Sequence, residues 1–485
     1  MYDTSVGGYF FGRSDFIARL HGHLDAVTRS GRGRIVSVRG RRQIGKSTVV
    51  ERFVEGSDVP YLFFTGLRDG SVPQQLRNAQ ASVVESKWPW AETELLAQTA
   101  SSWQEWWSRL AIPARQGPGI VVMDEFPWLL GSDRTLESEL QVVWDRLLEK
   151  LPILMIVIGS DVSMMARLEE HDRPLYGRLR TLVLDALTPA DLADALPHLS
   201  ATEIFDAALV TGGYPRLVTD MARAGVPVDR YVVTELADPY SPLATTARFT
   251  LDAEFPEPTI AARVLGAIGA DDTAHPGFND VLSTIADPQD RKKTETGITR
   301  AIDLLMNQKR LIELETPAWA PPRGKLRRYR ITDPYLRFWF RYLDRNHDRI
   351  ARGRSDLAID AFTRDWPAWR GRSVEPLVRA SFLRLATHDD RLADVETVLP
   401  WWTRDGQIEI DVVAATAQRT AVVGSIKWRS TSPITERDMR ALRLAGASVP
   451  RAQDASYAAI SPHGDKPAGA DLAFGADDLL GAWRL

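Results

Sequence analysis

The sequence predicts an α/β fold around a parallel sheet, and three stretches carry that prediction. In "GRIVSVRGRRQIGKSTVVERFV" an apolar run passes through a Gly-bearing turn into a helical pattern; in "GIVVMDEFPWLL" an apolar run ends in two carboxylates; in "LPILMIVIGS" an apolar run ends in a hydroxyl. Short continuous apolar runs separated by helical segments are the pattern of strands buried on both faces of a parallel sheet.

The first stretch fits G-x-x-x-x-G-K-[ST] over Gly40, Arg41, Arg42, Gln43, Ile44, Gly45, Lys46 and Ser47, with Thr48 following in the helix. A strand at Ile35–Val38 before it and a helix after it are the setting a phosphate loop requires. Glycines let backbone N–H groups turn inward around phosphates, and the helix N-terminus adds positive potential. Lys46 is then placed for the terminal phosphates and Ser47 for Mg²⁺, so ATP and Mg²⁺ are the expected cofactors.

The second stretch supplies Asp124 and Glu125. An acidic pair at a strand end is ordinary by itself, but downstream of a phosphate loop it has work to do. Asp124 would hold the water shell of Mg²⁺, and Glu125 would orient and deprotonate the attacking water. The third stretch ends at Ser160, where a polar side chain can sense the γ-phosphate. Beyond it, "RPLYGRLRTLVL" contains Arg178 and Arg180. Of the two, Arg178 is expected to reach that phosphate, in cis or from a neighbouring subunit.

At 485 residues the chain is too long for one core, and with a net charge of −4 any nucleic-acid contact must come from a local patch. Without cysteine it has no disulfides, thiolate metal sites or cysteine nucleophiles. No uncharged apolar run approaches a membrane span, and "MYDTSVGGYFFGRSD" lacks the basic-then-apolar pattern of a leader, so no membrane and a cytoplasmic location are expected.

Further along, Trp103, Trp106 and Trp107 fall on one helix face, which reads as core. From Pro189 to Ala224 the pattern is helical, fitting a small lid. Between Thr259 and Ile331 the order is three helices and two strands, that of a winged helix-turn-helix. Its wing, "RGKLRRYR", holds Arg323, Lys325, Arg327, Arg328 and Arg330, five cations in eight residues. Such a strip suits the phosphates of duplex DNA, although charged wings also serve as solvated hairpin tips and protein contacts. The aromatic run Asp333–Arg345 is expected to dock the winged helix onto the C-terminal part of the chain. The mixed-charge stretch Asn346–Arg372 reads as a boundary.

Together, "FFGRSDFIARL", "GRRQIGKST", "VVMDEF", "IGSDVSMM", "PLYGR" and "TGGYPRLV" resemble the archaeal-type AAA+ ATPases, close to the signal-transduction ATPases with numerous domains. "YRITDPYLRFWFRYL", the Trp401–Trp402 pair and "EID" followed by "KW" are similar to the C-terminal region of those proteins, a winged helix and a PD-(D/E)XK-like nuclease fold. The resemblance implies that Phe11, Gly12 and Arg13 sit near the adenine and that Gly212, Gly213 and Pro215 lie in a helical lid over the nucleotide. That nuclease fold holds its metal with an Asp ending one strand and a Glu on the next, adds a Lys, and often takes a Glu from the preceding helix. Glu375, Asp411 and Lys427 fill three of these places. Ser425 fills the fourth without a charge, so the nuclease-like site is expected to be degenerate and inactive. Glu409, two residues from Asp411 and on the same strand face, is the one carboxylate placed to compensate.

The expected organisation is a P-loop core (1–188), a helical lid (189–250), a winged helix with its aromatic docking segment (251–345) and a PD-(D/E)XK-like α/β domain (346–485). The expected function is ATP hydrolysis coupled to a DNA-binding winged helix and a nuclease-fold tail. The alternative is a nucleotide-gated conformational switch or scaffold for protein partners without DNA binding; a homo-oligomer or a protein partner is the other partner expectation.

Overall fold

The structure is a computed structural model that describes residues 10–85, 98, 100–255, 259–270, 276–285, 291–321, 324, 326–429 and 432–484. The chain divides into two compact units, one of residues 13–186 and the other of 187–485 with the segment before residue 13.

In the first unit, α1 (Ser14–Ser30) leads to β1 (Arg34–Arg39), α2 (Lys46–Gly56), β2 (Tyr61–Thr65), α3 (Trp103–Arg109), β3 (Gly119–Asp124), α4 (Leu136–Arg146), β4 (Ile153–Gly159) and β5 (Leu179–Val183), with further helices between. The strands form one sheet in the order β2-β3-β4-β1-β5, every pair parallel. β3 and β4 are buried at every position, which is why their sequences are apolar throughout. Parallel pairing has a functional consequence: residues just after β1, β3 and β4 gather at one edge of the sheet, and residues just before the strands gather at the other. Trp103, Trp106 and Trp107 on α3 are fully buried around Phe64 of β2, whose ring meets Trp106 edge-on at 5.3 Å. The tryptophan stripe is core, as its spacing predicts.

The second unit begins with a run of helices that includes α5 (Ala201–Thr211), over the segment expected to form a lid. α6 (Ile260–Ala270), α7 (Phe278–Ile285), α8 (Arg291–Asp303), β6 (Ile312–Glu315) and β7 (Arg328–Ile331) come next, in the predicted helix-helix-helix-strand-strand order. β6 and β7 pair antiparallel, with Glu313 opposite Arg330 and Glu315 opposite Arg328. After α9 (Ser355–Ser373) come α10 (Glu375–Leu385), β8 (Thr397–Trp402), β9 (Glu409–Ala415), β10 (Thr420–Ile426), α11 (Glu436–Gly446), β11 (Ser456–Ile460) and β12 (Leu472–Phe474). Their sheet runs β12-β11-β10-β9-β8, antiparallel across β8, β9 and β10 and parallel beyond. The segments 189–250, 251–345 and 346–485 all lie in this unit.

The stretch 346–372 is not a linker. Most of it is α9, whose Phe362, Trp366 and Trp369 surround the Phe338 and Tyr342 rings of the aromatic run. The aromatic run docks as predicted; the charges that suggest a boundary are largely the solvent side of the helix it docks on. α9 is also tied to α5, because Arg370 Nε donates to Asp206 Oδ1 at 2.5 Å with both side chains buried. Among the described residues no helix is long and apolar enough to cross a membrane.

Candidate nucleotide site

The phosphate loop lies between β1 and α2. A Cβ on Gly40 would lie 2.3 Å from the Leu184 carbonyl oxygen and 2.7 Å from Ile44 Cδ1, so the close approach requires glycine. Gln43 and Gly45 take left-handed backbone (φ 62° and 84°), which turns successive peptide N–H groups in the manner of an anion nest. Lys46 is buried, and its Nζ donates to the loop's own carbonyls, Gly40 O at 3.0 Å and Arg41 O at 2.7 Å. Those acceptors hold the ammonium within the loop, where an entering phosphate would exchange with them.

Ser47, at the start of α2, donates from Oγ to Asp124 Oδ2 at 2.7 Å, and the other Asp124 oxygen accepts the Glu125 N–H at 2.9 Å. A hydroxyl beside a buried carboxylate is a hard-oxygen donor pair that fits Mg²⁺. Glu125 sits just beyond β3 at φ 49°, and Ser160, just beyond β4, donates to its carboxylate at 3.1 and 3.3 Å. The structure therefore brings the loop, Asp124, Glu125 and Ser160 to one sheet edge. Sequence reasoning missed Glu51, one helical turn after Ser47. Its carboxyl is raised first by burial and then by the charge of Asp124. Arg13 is also part of the loop's support, donating from Nη2 to Ile44 O at 3.2 Å and from Nη1 to Asp185 O at 2.6 Å. Phe11 is buried, and Gly12 lies against Asp191, whose Oδ1 a Cβ would meet at 2.1 Å.

Arg178 does not join this group. It precedes β5, so it lies at the opposite edge of the parallel sheet, about 16 Å away along a five-residue strand. There Nε and Nη2 grip both oxygens of Asp145 at 2.7 Å, and Nη1 donates to Pro174 O at 3.1 Å and Tyr176 O at 3.0 Å. Reach to its own loop, one of the two expected routes, is thereby excluded.

The wing strip also departs from expectation. Arg323 and Lys325 lie outside the described residues, and Arg327 is exposed. Arg328 donates to Glu409 Oε1 at 2.5 Å and stacks over Trp402 at 4.2 Å, while Arg330 is half-buried and paired with Glu313. Burial pushes the Arg330 guanidinium well below its ordinary value. These two cations face protein because the hairpin packs on the C-terminal sheet. Past β6, Ala318 N–H donates to Pro400 O at 2.8 Å and Trp319 Nε1 to Thr420 Oγ1 at 2.9 Å.

At the nuclease-like position the expected residues do converge. Asp411 Oδ2 accepts from Ser425 Oγ at 3.2 Å and from Ile426 N–H at 2.7 Å, with Lys427 Nζ 4.0 Å away. The residue that sequence reasoning missed is Arg379. Its Nη1 donates to Glu375 Oε2 at 3.3 Å and to the Asp411 backbone oxygen at 3.1 Å, and its Nη2 to Glu315 Oε1 of β6 at 2.7 Å. A guanidinium thus ties Glu375 and Glu315 to the Asp411 backbone. Burial and then the Asp411 charge push the Glu375 carboxyl up to about 8, and burial also raises Asp411. Glu409 does not compensate for Ser425, since it is engaged by Arg328. Among the described residues no group of three or more histidines or acids is arranged to hold a metal. The "GGYP" segment packs by its own geometry: Gly213, at φ 71°, would press a Cβ to 2.2 Å from Leu187 O, and Tyr214 donates to Asp333 Oδ2 at 2.6 Å.

Residues 10–221 match the family model of an ATPase domain predominantly from Archaea. Over that span the chain is similar to archaeal ATPase domains. Residues 339–442 match a second family, described as archaea bacterial proteins of unknown function. The chain is 25% identical over 439 residues to an uncharacterized protein of Methanocaldococcus jannaschii, with 89% of each chain covered. Among solved structures it is similar to a Walker-type ATPase of Pyrococcus abyssi, at 17% identity and TM-score 0.50, over 68% of this chain and 96% of that one. The Aeropyrum pernix ORC2 protein in its ADPNP–ADP complexes is similar at 14% identity and TM-score 0.46, over 75% of this chain and 98% of that one. The likeness to the Pyrococcus protein supports the same parallel-sheet ATPase fold for this chain.

Proposed function

We propose that the chain binds ATP with Mg²⁺ at the phosphate loop and hydrolyses it, with Glu125 as the base. The observation that carries this reading is the pairing at one sheet edge of Ser47 with Asp124 at 2.7 Å and of Ser160 with Glu125 at 3.1 Å. Lys46 exchanges the Gly40 and Arg41 carbonyls for phosphate oxygens. Ser47 and Asp124 would hold Mg²⁺, which neutralises charge on the phosphates. Glu125 takes a proton from the attacking water as its oxygen bonds to phosphorus, and the γ-phosphorus separates from the oxygen that stays with ADP. Ser160 orients the Glu125 carboxylate for that transfer.

For the output of the cycle we favour a nucleotide-gated switch acting on a protein partner over action on duplex DNA through the wing. Arg328 and Arg330 are spent on internal ion pairs, so the basic strip that suggests DNA is reduced. The deciding measurement is the ATPase rate with and without duplex DNA at two salt concentrations. Turnover should be indifferent to DNA; stimulation that fades as salt rises would restore the DNA reading.

A further inference from the structure

The edge of the sheet opposite the phosphate loop contains a cleft of about 380 Å³ whose lining includes Arg34, Trp144, Asp145, Tyr176, Arg178 and Arg180. Its charges divide into two groups. Arg178 is held by Asp145, and Glu149, also in the lining, is held by Arg32 at 3.3 Å. Arg34 and Arg180 remain, and neither guanidinium has a hydrogen bond or ion pair among the described residues. The register pairs Val36 with Arg180, and the two-residue period puts Arg34 on the same face as Val36, so both guanidiniums rise from one side of adjacent strands.

The local field agrees with that placement. His23 of α1 has a buried Nδ1 without a partner, and its pKa is lowered by burial and then by Arg34 and Arg180, whose charges oppose a third cation. Two unpaired guanidiniums in a polar cleft, with an exposed tyrosine at the rim, call for a doubly charged oxyanion, because each fork of donors matches a pair of phosphate oxygens.

We propose that this cleft is a second anion site that takes a phosphate group, with Arg34 and Arg180 as its donors and the Arg178–Asp145 pair as its fixed wall. The phosphate has two sources of the same chemistry: a free nucleotide or polyphosphate, or the terminal phosphate of a nucleotide held by a second copy. The chain's own loop cannot fill the cleft, since it opens at the other sheet edge. The second source rests on the ATPase reading above; the first does not.

The test begins with the Lys46→Ala chain, in which the phosphate loop is disabled, titrated with inorganic pyrophosphate by calorimetry at low salt. Binding is expected, and it should weaken by about tenfold or more when Arg34→Gln and Arg180→Gln are added, with circular dichroism melts confirming that both chains are folded. In the second arm, Arg180→Gln chains are mixed with Lys46→Ala chains, and turnover is followed against protein concentration. Recovery of turnover identifies the second copy as the source, because the Lys46→Ala chain lends its intact cleft. Pyrophosphate binding without recovery identifies a free phosphate. The proposal is overturned if Lys46→Ala binds no pyrophosphate and mixing restores nothing, or if the added glutamines leave pyrophosphate affinity unchanged. If the native chain turns over no ATP, the ATPase reading fails, while the pyrophosphate arm still decides the cleft.

Discussion

Replacing Arg370 by Met should destabilise the contact between α5 and α9, and by more at pH 7.5 than at pH 5. Arg370 and Asp206 have side chains only 6% and 9% exposed and meet at 2.5 Å. Even with the guanidinium beside it, burial pushes the Asp206 carboxyl from 3.8 to about 6. A carboxyl raised in the folded state favours folding below its unfolded value, and that advantage is lost as pH rises through the folded value. The native chain therefore loses roughly 1 kcal/mol between these two pH values. Without Arg370 the carboxyl rises further, so the loss continues past neutrality. Leaving a buried charge unpaired costs about 3–5 kcal/mol, which is the step expected at pH 7.5. At pH 5 Asp206 is mostly protonated in both chains and the step should shrink. Hydrogen exchange read on peptides spanning 201–211 and 355–373 gives the local opening free energies directly, which suits a chain of two units better than a single melting point. Asp206→Asn with Arg370→Met should cost less than the two single changes summed. A step below about 1 kcal/mol at pH 7.5, or one equal at the two pH values, would refute the reasoning, because breaking a buried pair cannot be that cheap or that indifferent to protonation.

Three further outcomes are expected. Glu125→Gln should bind fluorescent ATP as the native chain does while turnover falls by about 10²–10⁴-fold, whereas Lys46→Ala should weaken binding itself; native turnover in Glu125→Gln would remove Glu125 as the base. Arg328→Glu should speed hydrogen exchange across 312–331, because it places a carboxylate against Glu409 and removes the stacking on Trp402, and it should leave duplex affinity unchanged; a flattened salt dependence of DNA binding would contradict the assignment. Neither the native chain nor Ser425→Glu should cut supercoiled DNA with Mg²⁺ or Mn²⁺, since Arg379 still pairs with the Glu375 carboxylate; metal-dependent cutting by Ser425→Glu would show that the serine alone had disabled the site.

The phosphate site is legible in the sequence because its chemistry is local. Gly40 to Ser47 are contiguous, and Asp124, Glu125 and Ser160 sit where apolar runs end, so parallel pairing brings them together without further information. The tryptophan stripe is legible for the same reason, as helical period alone places three indoles on one face. α9 reads as a boundary because its polar side carries most of its residues, and the apolar positions at Phe362 and Trp369 make sense only against the rings they meet. The wing misleads differently. "RGKLRRYR" reports charge, but not which carboxylate answers it, and the partner of Arg328 lies 81 residues away at Glu409.

With 60 basic and 64 acidic residues in the chain, complementarity of sign leaves each arginine dozens of candidate partners. Only the packing selects one. Glu375, Asp411 and Lys427 read in sequence as three parts of a metal site with one carboxylate missing. Arg379, four residues after Glu375 on α10, gives no signal, because a helix presents (i, i+4) acid–base pairs routinely. In the fold its guanidinium reaches Glu375, the Asp411 backbone and Glu315 of β6 together, so Glu375 is tied to the hairpin. A buried cation supplied by the chain offsets the charge of Glu375 and Glu315 and brings no Lewis acidity of its own. The same cluster therefore becomes a fastening between the hairpin and the C-terminal sheet, and restoring a fourth carboxylate at Ser425 leaves that fastening in place.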